Sequence, residues 1–291
     1  MKIKIENITK TYGKKISLNN ISFELEENKI YGLLGRNGAG KTTLMHLIAG
    51  HISPSDGSVT LNGLNPFNNR NVLKNICLIN ESGNFNQSLK IKDVLKISSL
   101  FYPNWNKEIA ENLLIEFNLD RNLRIKSLSK GMESALGILI GLACRSAVTI
   151  FDEPYIGLDA ALRARFYELL LEEYENEPRT FILSTHLIDE VSNLFEEVII
   201  LQEGKLVLQE QAEVLIEKSI SVTGKKDIVQ DFCKGKNVLH VKEFVGQQTA
   251  VLYGESFHQS DLYNQDLTVE PVHIQDLMVY LTSSSKGSVS I

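Results

Sequence analysis

Three short stretches carry residues whose types and spacing could do chemistry. Residues 35–42 read Gly-Arg-Asn-Gly-Ala-Gly-Lys-Thr and fit the pattern GxxxxGK[ST]. Glycines there let backbone N–H groups wrap a phosphate without a Cβ in the way, and a following helix N-terminus adds its dipole. In such a loop Lys41 reaches the β- and γ-phosphates of a nucleotide, and the Thr42 hydroxyl ligates Mg²⁺. Asn37, Gly38, Ala39, Gly40, Lys41, Thr42 and the neighbouring Thr43 are therefore candidate phosphate-binding residues. The second stretch, 147–153, is an apolar run ending in two carboxylates, Asp152 and Glu153. After a phosphate loop, the first carboxylate suits Mg²⁺ held through water. Glu153 then faces the γ-phosphate and can polarise an attacking water. The third stretch, Ser184-Thr185-His186, also closes an apolar run. At the same edge as the carboxylates, His186 could sense the γ-phosphate.

These residues meet only if several elements hold them at one edge. Residues 31–34 form a short apolar strand entering the glycine turn, and 41–49 a helix leaving it. Period-two alternation marks half-buried strands at 2–8 and 21–26, with further strands at 58–62, 76–79, 147–151, 180–184 and 198–201. Helical spacing covers 90–100, 107–117, 130–145, 160–175 and 187–194, and Pro103 breaks between the first two. Strands alternating with helices predict an α/β domain with a largely parallel core sheet and an antiparallel N-terminal part. Residues 90–142 are nearly all helix and read as a separate helical lobe. After Gly204 the strong apolar strands thin out. The remaining order is strand (220–223), helix (226–234), strands (238–241 and 249–253), helix (near 258–263), strand (267–270) and a last helix (274–281). That order resembles a small ferredoxin-like unit. Residues 283–291 read as a frayed tail.

Composition narrows the function classes. The 291 residues are 43% hydrophobic and 23% charged, which is ordinary for a chain that buries a core. The net charge of −6 argues against nucleic acid as the main partner. Cys77, Cys144 and Cys233 form no CxxC pair, so neither a zinc site nor a disulfide framework is expected. His240, His258 and His273 are scattered singly and suggest no metal site. The N-terminus alternates apolar and polar residues as a strand does, unlike a signal peptide. The longest apolar run, 135–144, is closed by Arg145 and is too short to span a bilayer. Any membrane part must come from another chain.

The phosphate loop is followed by "LSKGM" (128–132), "FDEP" (151–154), "GLD" (157–159) and "STH" (184–186). Over about residues 1–210 this order resembles the ATP-binding subunits of ABC transporters. The resemblance implies a P-loop ABC ATPase cassette of α/β class with a mixed sheet core, plus a helical subdomain at about 90–142. The cassette would span 1–211, and 212–291 would be a small α+β accessory, regulatory or dimerisation unit. It implies Glu153, His186 and Lys41 as catalytic residues and Tyr12 stacked on the adenine. Ser129 and Gly131 would donate to the γ-phosphate bound by another subunit, and Asp159 would link the two sites. Mg²⁺ would be held by Thr42, Asp152 and Glu81. Three departures stand out: Lys130 and Met132 in the signature loop, Glu133-Ser134-Ala135 after it, and Glu81 where the family has Gln. Glu81 can still ligate a metal but cannot donate as an amide does.

The segment "FYPNWN" (101–106) and the added C-terminal part resemble ABC-2-type bacterial exporters of the YtrB-like group. Phenol-soluble-modulin and antimicrobial-peptide exporters are among these relatives. The implied cofactors are ATP and Mg²⁺. The implied partners are an integral membrane permease and a second ATPase subunit, identical or not, with no nucleic acid. The implied location is cytoplasmic, peripheral on the inner face of the membrane. The alternative is a soluble ABC-type ATPase acting on nucleic acid or translation. Such relatives usually carry two cassettes or a long coiled coil, whereas this chain has one cassette and no sustained heptads.

Overall fold

The computed structural model describes residues 1–254, 257 and 266–283. The N-terminal part is an antiparallel sheet of β1 (Ile3–Tyr12), β2 (Lys15–Leu25) and β4 (Asp56–Leu61), in the order β2-β1-β4. The central sheet holds β3 (Ile30–Leu34), β5 (Ile76–Ile79), β6 (Val148–Asp152), β7 (Thr180–Ser184), β8 (Glu197–Gln202) and β9 (Lys205–Gln211). Its order is β5-β6-β7-β3-β8-β9, parallel throughout except for the last pair. β3, β6 and β7 are buried at every position. A parallel strand covered on both faces needs an unbroken apolar run, and that is how these three segments read.

Helices cover the sheet: α1 (Lys41–Ile48), α2 (Arg70–Leu73), α3 (Ile91–Phe101), α4 (Lys107–Glu116), α5 (Lys130–Ala143), α6 (Ala160–Asn176) and α7 (Ile188–Val191). Side chains cap several of them as their sequences suggest. Asn106 accepts from the Ile109 N–H at 3.0 Å, Ser129 from Met132 at 3.2 Å, and Asp159 from Leu162 at 2.9 Å. α5 is buried from Ala135 to Ala143 and joins α3, α4 and α6 in the main core.

Beyond β9 come α8 (Ala212–Glu217), β10 (Ser219–Lys225), α9 (Lys226–Cys233), β11 (Val238–Phe244), β12 (Gln247–Tyr253), β13 (Leu267–Pro271) and α10 (Ile274–Leu281). The four strands form one sheet, β11-β12-β10-β13, with every neighbour antiparallel. This is the strand order of a ferredoxin-like unit. The helix expected near 258–263 and most of the tail lie outside the described residues. The sheet has its own small core of Ile220, Val222, Val229, Cys233, Ala250, Leu252 and Leu267. α8 and α10 belong elsewhere, because Ala212, Leu215, Ile274 and Leu277 are buried in the main core.

Three elements were not signalled by the sequence: α2, β9 and α8. β9 reads KLVLQEQ and is exposed or half-buried at every position, so no apolar run betrays it. It forms because β8 offers an open edge two residues away. The three cysteines are buried and free. Among the described residues no helix is long and apolar enough to cross a membrane.

Candidate nucleotide site

The carboxyl ends of β3, β6 and β7 lie side by side, with Asp152 opposite Ser184 and Leu33 opposite Ser184 in register. The crevice outside such strand ends is where open α/β sheets bind ligands. A cleft of about 240 Å³ opens there. Residues 37–43 line it together with Glu81, Asp152 and Glu153, and with Lys15 and Ser17 from β2.

The loop's shape follows from its glycines. Gly40 has φ +104° and precedes α1. A Cβ there would stand 2.6 Å from Leu18 Cδ2 and 2.7 Å from the Ser17 carbonyl oxygen. Only glycine allows both the backbone turn and this approach to β2. No side chain caps α1 and its first turn carries no acid, so its leading N–H groups stay available to an anion.

Lys41 Nζ donates to the Gly35 carbonyl at 2.7 Å. Burial pushes the Lys41 ammonium below its ordinary pKa, against the pull of Glu153 and Asp152. The Thr42 hydroxyl donates to Asp152 Oδ2 at 2.7 Å, and the Thr43 and Ser17 hydroxyls meet at 2.8 Å.

Glu153 sits just past β6 with φ +51°. A side chain in that left-handed region costs about 1–3 kcal/mol and persists only when neighbours hold it. Its N–H donates to the Ser184 carbonyl at 3.1 Å, which ties the turn to β7. Its Oε2 accepts from the Tyr155 hydroxyl and lies 2.7 Å from His186 Nδ1. The imidazole is otherwise largely exposed. Thus the histidine pairs with the carboxylate rather than lining the cleft.

Glu81 follows β5 and lines the cleft while staying exposed. A local brace shapes its loop. The Asn80 N–H donates to Asn84 Oδ1 at 2.7 Å, and Asn84 Nδ2 donates to the Asn80 carbonyl at 2.8 Å. Among the described residues no group of three or more His, Cys, Asp or Glu side chains could hold a metal alone. The oxygen donors Thr42, Asp152 and Glu81 suit Mg²⁺, which completes its shell with phosphate oxygens and water.

Besides His186, four of the expected residues lie outside this cleft's lining. Tyr12 is half exposed at the end of β1, with Lys10 Nζ 5.2 Å from its ring centre. Ser129 and Asp159 cap α5 and α6. Gly131 lies against Gly157, where a Cβ on Gly131 would meet the Gly157 carbonyl oxygen at 2.4 Å. The Ser134 hydroxyl donates to the Ile156 carbonyl at 2.6 Å and reinforces the same contact. The signature loop and the "GLD" turn therefore pack as one unit that does not line this cleft. Conversely, Tyr155, Lys15 and Ser17 belong to the site although no motif points to them. Tyr155 reads as an aromatic turn residue, and its partners lie about thirty positions later.

The model for "ABC transporter" matches residues 18–156. An uncharacterised ABC transporter ATP-binding protein of Methanocaldococcus jannaschii is 34% identical over 66% of this chain and 71% of its own. The lantibiotic transport ATP-binding protein SrtF of Streptococcus pyogenes is 31% identical over 66% of this chain and 83% of its own. The fold is shared with a dimeric ATP-binding cassette solved in a post-hydrolysis state with ADP and Pi. That likeness has a TM-score of 0.65 and 21% identity, and covers 72% of this chain and 98% of that one. Motif order, sheet and kinship agree, and the chain belongs to the ATP-binding subunits of ABC transporters, which are ATPases.

Proposed function

We propose that this chain is the ATP-hydrolysing motor of a bacterial exporter, driving a separate membrane permease. The observation that carries this reading is the convergence of Lys41, Thr42, Asp152 and Glu153 on one cleft. Ser129 and Lys130 of the signature loop, by contrast, are exposed and lie outside that cleft's lining. Kinship with a lantibiotic transport subunit favours a peptide or amphipathic cargo. The relatives reported above are named as transporter subunits, which does not favour a role on nucleic acid or in translation.

In this reading the loop 37–43 and the N-terminus of α1 hold the phosphates, and Lys41 neutralises charge on the γ-phosphate. Thr42, Asp152 and Glu81 would hold Mg²⁺, whose charge stabilises the phosphate oxygens. Glu153 takes a proton from a water whose oxygen attacks the γ-phosphorus. The bond to the β–γ bridging oxygen breaks, and ADP and phosphate leave. Ser129, Gly131 and the N-terminus of α5 complete the site of a second subunit, with Asp159 joining the two and His186 reaching the γ-phosphate. Tyr12 receives the adenine. Residues 1–211 act as the cassette, with the helical lobe at about 90–142, and 212–291 as an accessory unit that steadies it. The chain then works peripherally, on the cytoplasmic face of the membrane. Lys130 adds a cation beside the partner's phosphates and strengthens closure.

The test is to sediment Glu153→Gln with and without ATP and Mg²⁺, and to purify the wild-type chain from membranes. The expected result is a dimer that needs ATP, and a co-purifying membrane protein. A monomer under all conditions, or recovery with ribosomes or DNA instead, would contradict the proposal.

A further inference from the structure

Tyr155 is only 4% exposed, and four groups converge on its hydroxyl. The Thr185 hydroxyl and the His186 backbone N–H each donate to it at 2.9 Å. Thr185 Oγ1 in turn accepts from the Leu187 N–H at 2.9 Å, so its own proton is directed at the phenol. A hydroxyl has one proton to give and two lone pairs. Both lone pairs are engaged, so the phenol proton goes to Glu153 Oε2. The same logic settles His186 Nδ1, 3.1 Å from the phenol oxygen and 2.7 Å from Glu153 Oε2. An ionised carboxylate only accepts, so Nδ1 carries a proton and gives it to Glu153. Burial and the negative Glu153 raise the phenol above its ordinary pKa, so the proton stays on oxygen. The result is a one-way relay: Leu187 N–H, Thr185 hydroxyl, Tyr155 hydroxyl, Glu153 carboxylate.

We propose that Tyr155 is a positioning residue that holds Glu153 Oε2 throughout the cycle and frees the other carboxylate oxygen for water. Its role matters most when the exposed His186 ring turns to a γ-phosphate and gives up its 2.7 Å contact. The carboxylate then keeps one fixed donor, anchored through Thr185 and the His186 backbone to the end of β7. Glu153, on a left-handed backbone just past a strand, would otherwise swing. This inference rests on Glu153 being the base.

The test compares steady-state ATP turnover of full-length wild type, Tyr155→Phe, Thr185→Val and Glu153→Gln with Mg²⁺. Phenylalanine keeps the ring and removes only the hydroxyl. The expected result for Tyr155→Phe is a kcat lower by about tenfold, a KM for ATP within about twofold, and intact ATP-dependent dimerisation. Thr185→Val leaves the phenol but loses its orienting donor, and should lower kcat about threefold with KM unchanged. This second variant decides the matter if Tyr155→Phe does not fold. A folded Tyr155→Phe with wild-type kcat, or one that loses ATP affinity instead, overturns the proposal. So does a Thr185→Val of unchanged kcat. If Glu153→Gln itself keeps turnover, the base assignment fails and this inference with it. If only Tyr155→Phe is silent, the base stands and the positioning role falls.

Discussion

At the scale of single residues, one carboxylate is held from two sides: Glu153 Oε2 accepts from the Tyr155 hydroxyl and lies 2.7 Å from His186 Nδ1. The site was legible wherever its chemistry is local in sequence. Residues 35–42 give both the phosphate loop and the cation, and 152–153 give both carboxylates. Tyr155 was not legible, because its hydroxyl gains meaning only when β6 and β7 bring Thr185 and His186 alongside. Glu81 was legible as a departure from its family, and its place in the cleft now gives it a testable role. Glu81→Ala should raise the Mg²⁺ concentration needed for half-maximal turnover by at least about tenfold, since even a lost outer partner of a metal costs that much. Glu81→Gln keeps one oxygen and should stay within about threefold of wild type. Titrating MgCl₂ at fixed ATP reads both, and an alanine variant with an unaltered Mg²⁺ requirement would remove Glu81 from the metal's surroundings.

At the scale of elements, the buried parallel strands and the long helices could be read from their apolar runs and spacing. β9 and α8 could not, since a half-exposed edge strand and a two-turn helix carry too little pattern. Side-chain pairs across elements were also invisible. Arg179, 4% exposed, donates to Glu173 Oε2 at 3.1 Å and to the Leu142 carbonyl at 3.0 Å, and its guanidinium lies 4.7 Å from the centre of the Phe181 ring. It thus ties the end of α5 and the last turns of α6 to β7. Arg179→Ala leaves Glu173 with Arg145 alone, at 3.1 and 3.4 Å, and the Leu142 carbonyl without this donor, and should cost about 1–3 kcal/mol in urea unfolding. A loss under about 1 kcal/mol would mean the network relaxes without it. Gly131→Ala drives a Cβ into the Gly157 carbonyl and should cost about 1–3 kcal/mol. It should also lower turnover more than ATP affinity, because it displaces the signature loop while leaving the phosphate loop untouched. Wild-type turnover in a folded Gly131→Ala would contradict that separation.

At the scale of the whole molecule, the C-terminal segment is fastened to the core of the preceding part. α10 buries Ile274 and Leu277 in the main core, and its end meets the cassette where Gln202 Nε2 donates to the Thr282 carbonyl at 3.0 Å. Arg36 in the phosphate loop also reaches Ser283 Oγ at 3.4 Å. Ending the chain after Pro271 should therefore destabilise the remainder by about 3–5 kcal/mol, the cost of losing three buried aliphatic side chains, Val272, Ile274 and Leu277, and exposing what they cover. A truncated chain that melts at the wild-type temperature would show the segment to be independent. What the molecule is for, however, turns on its chemistry. The most direct test of the central claim is ATP turnover by the purified wild-type chain beside Glu153→Gln, with Mg²⁺. The wild-type chain should release phosphate, and the variant should bind ATP yet turn over at least about a hundredfold more slowly, the scale of a lost general base. Equal turnover by the two proteins would contradict it.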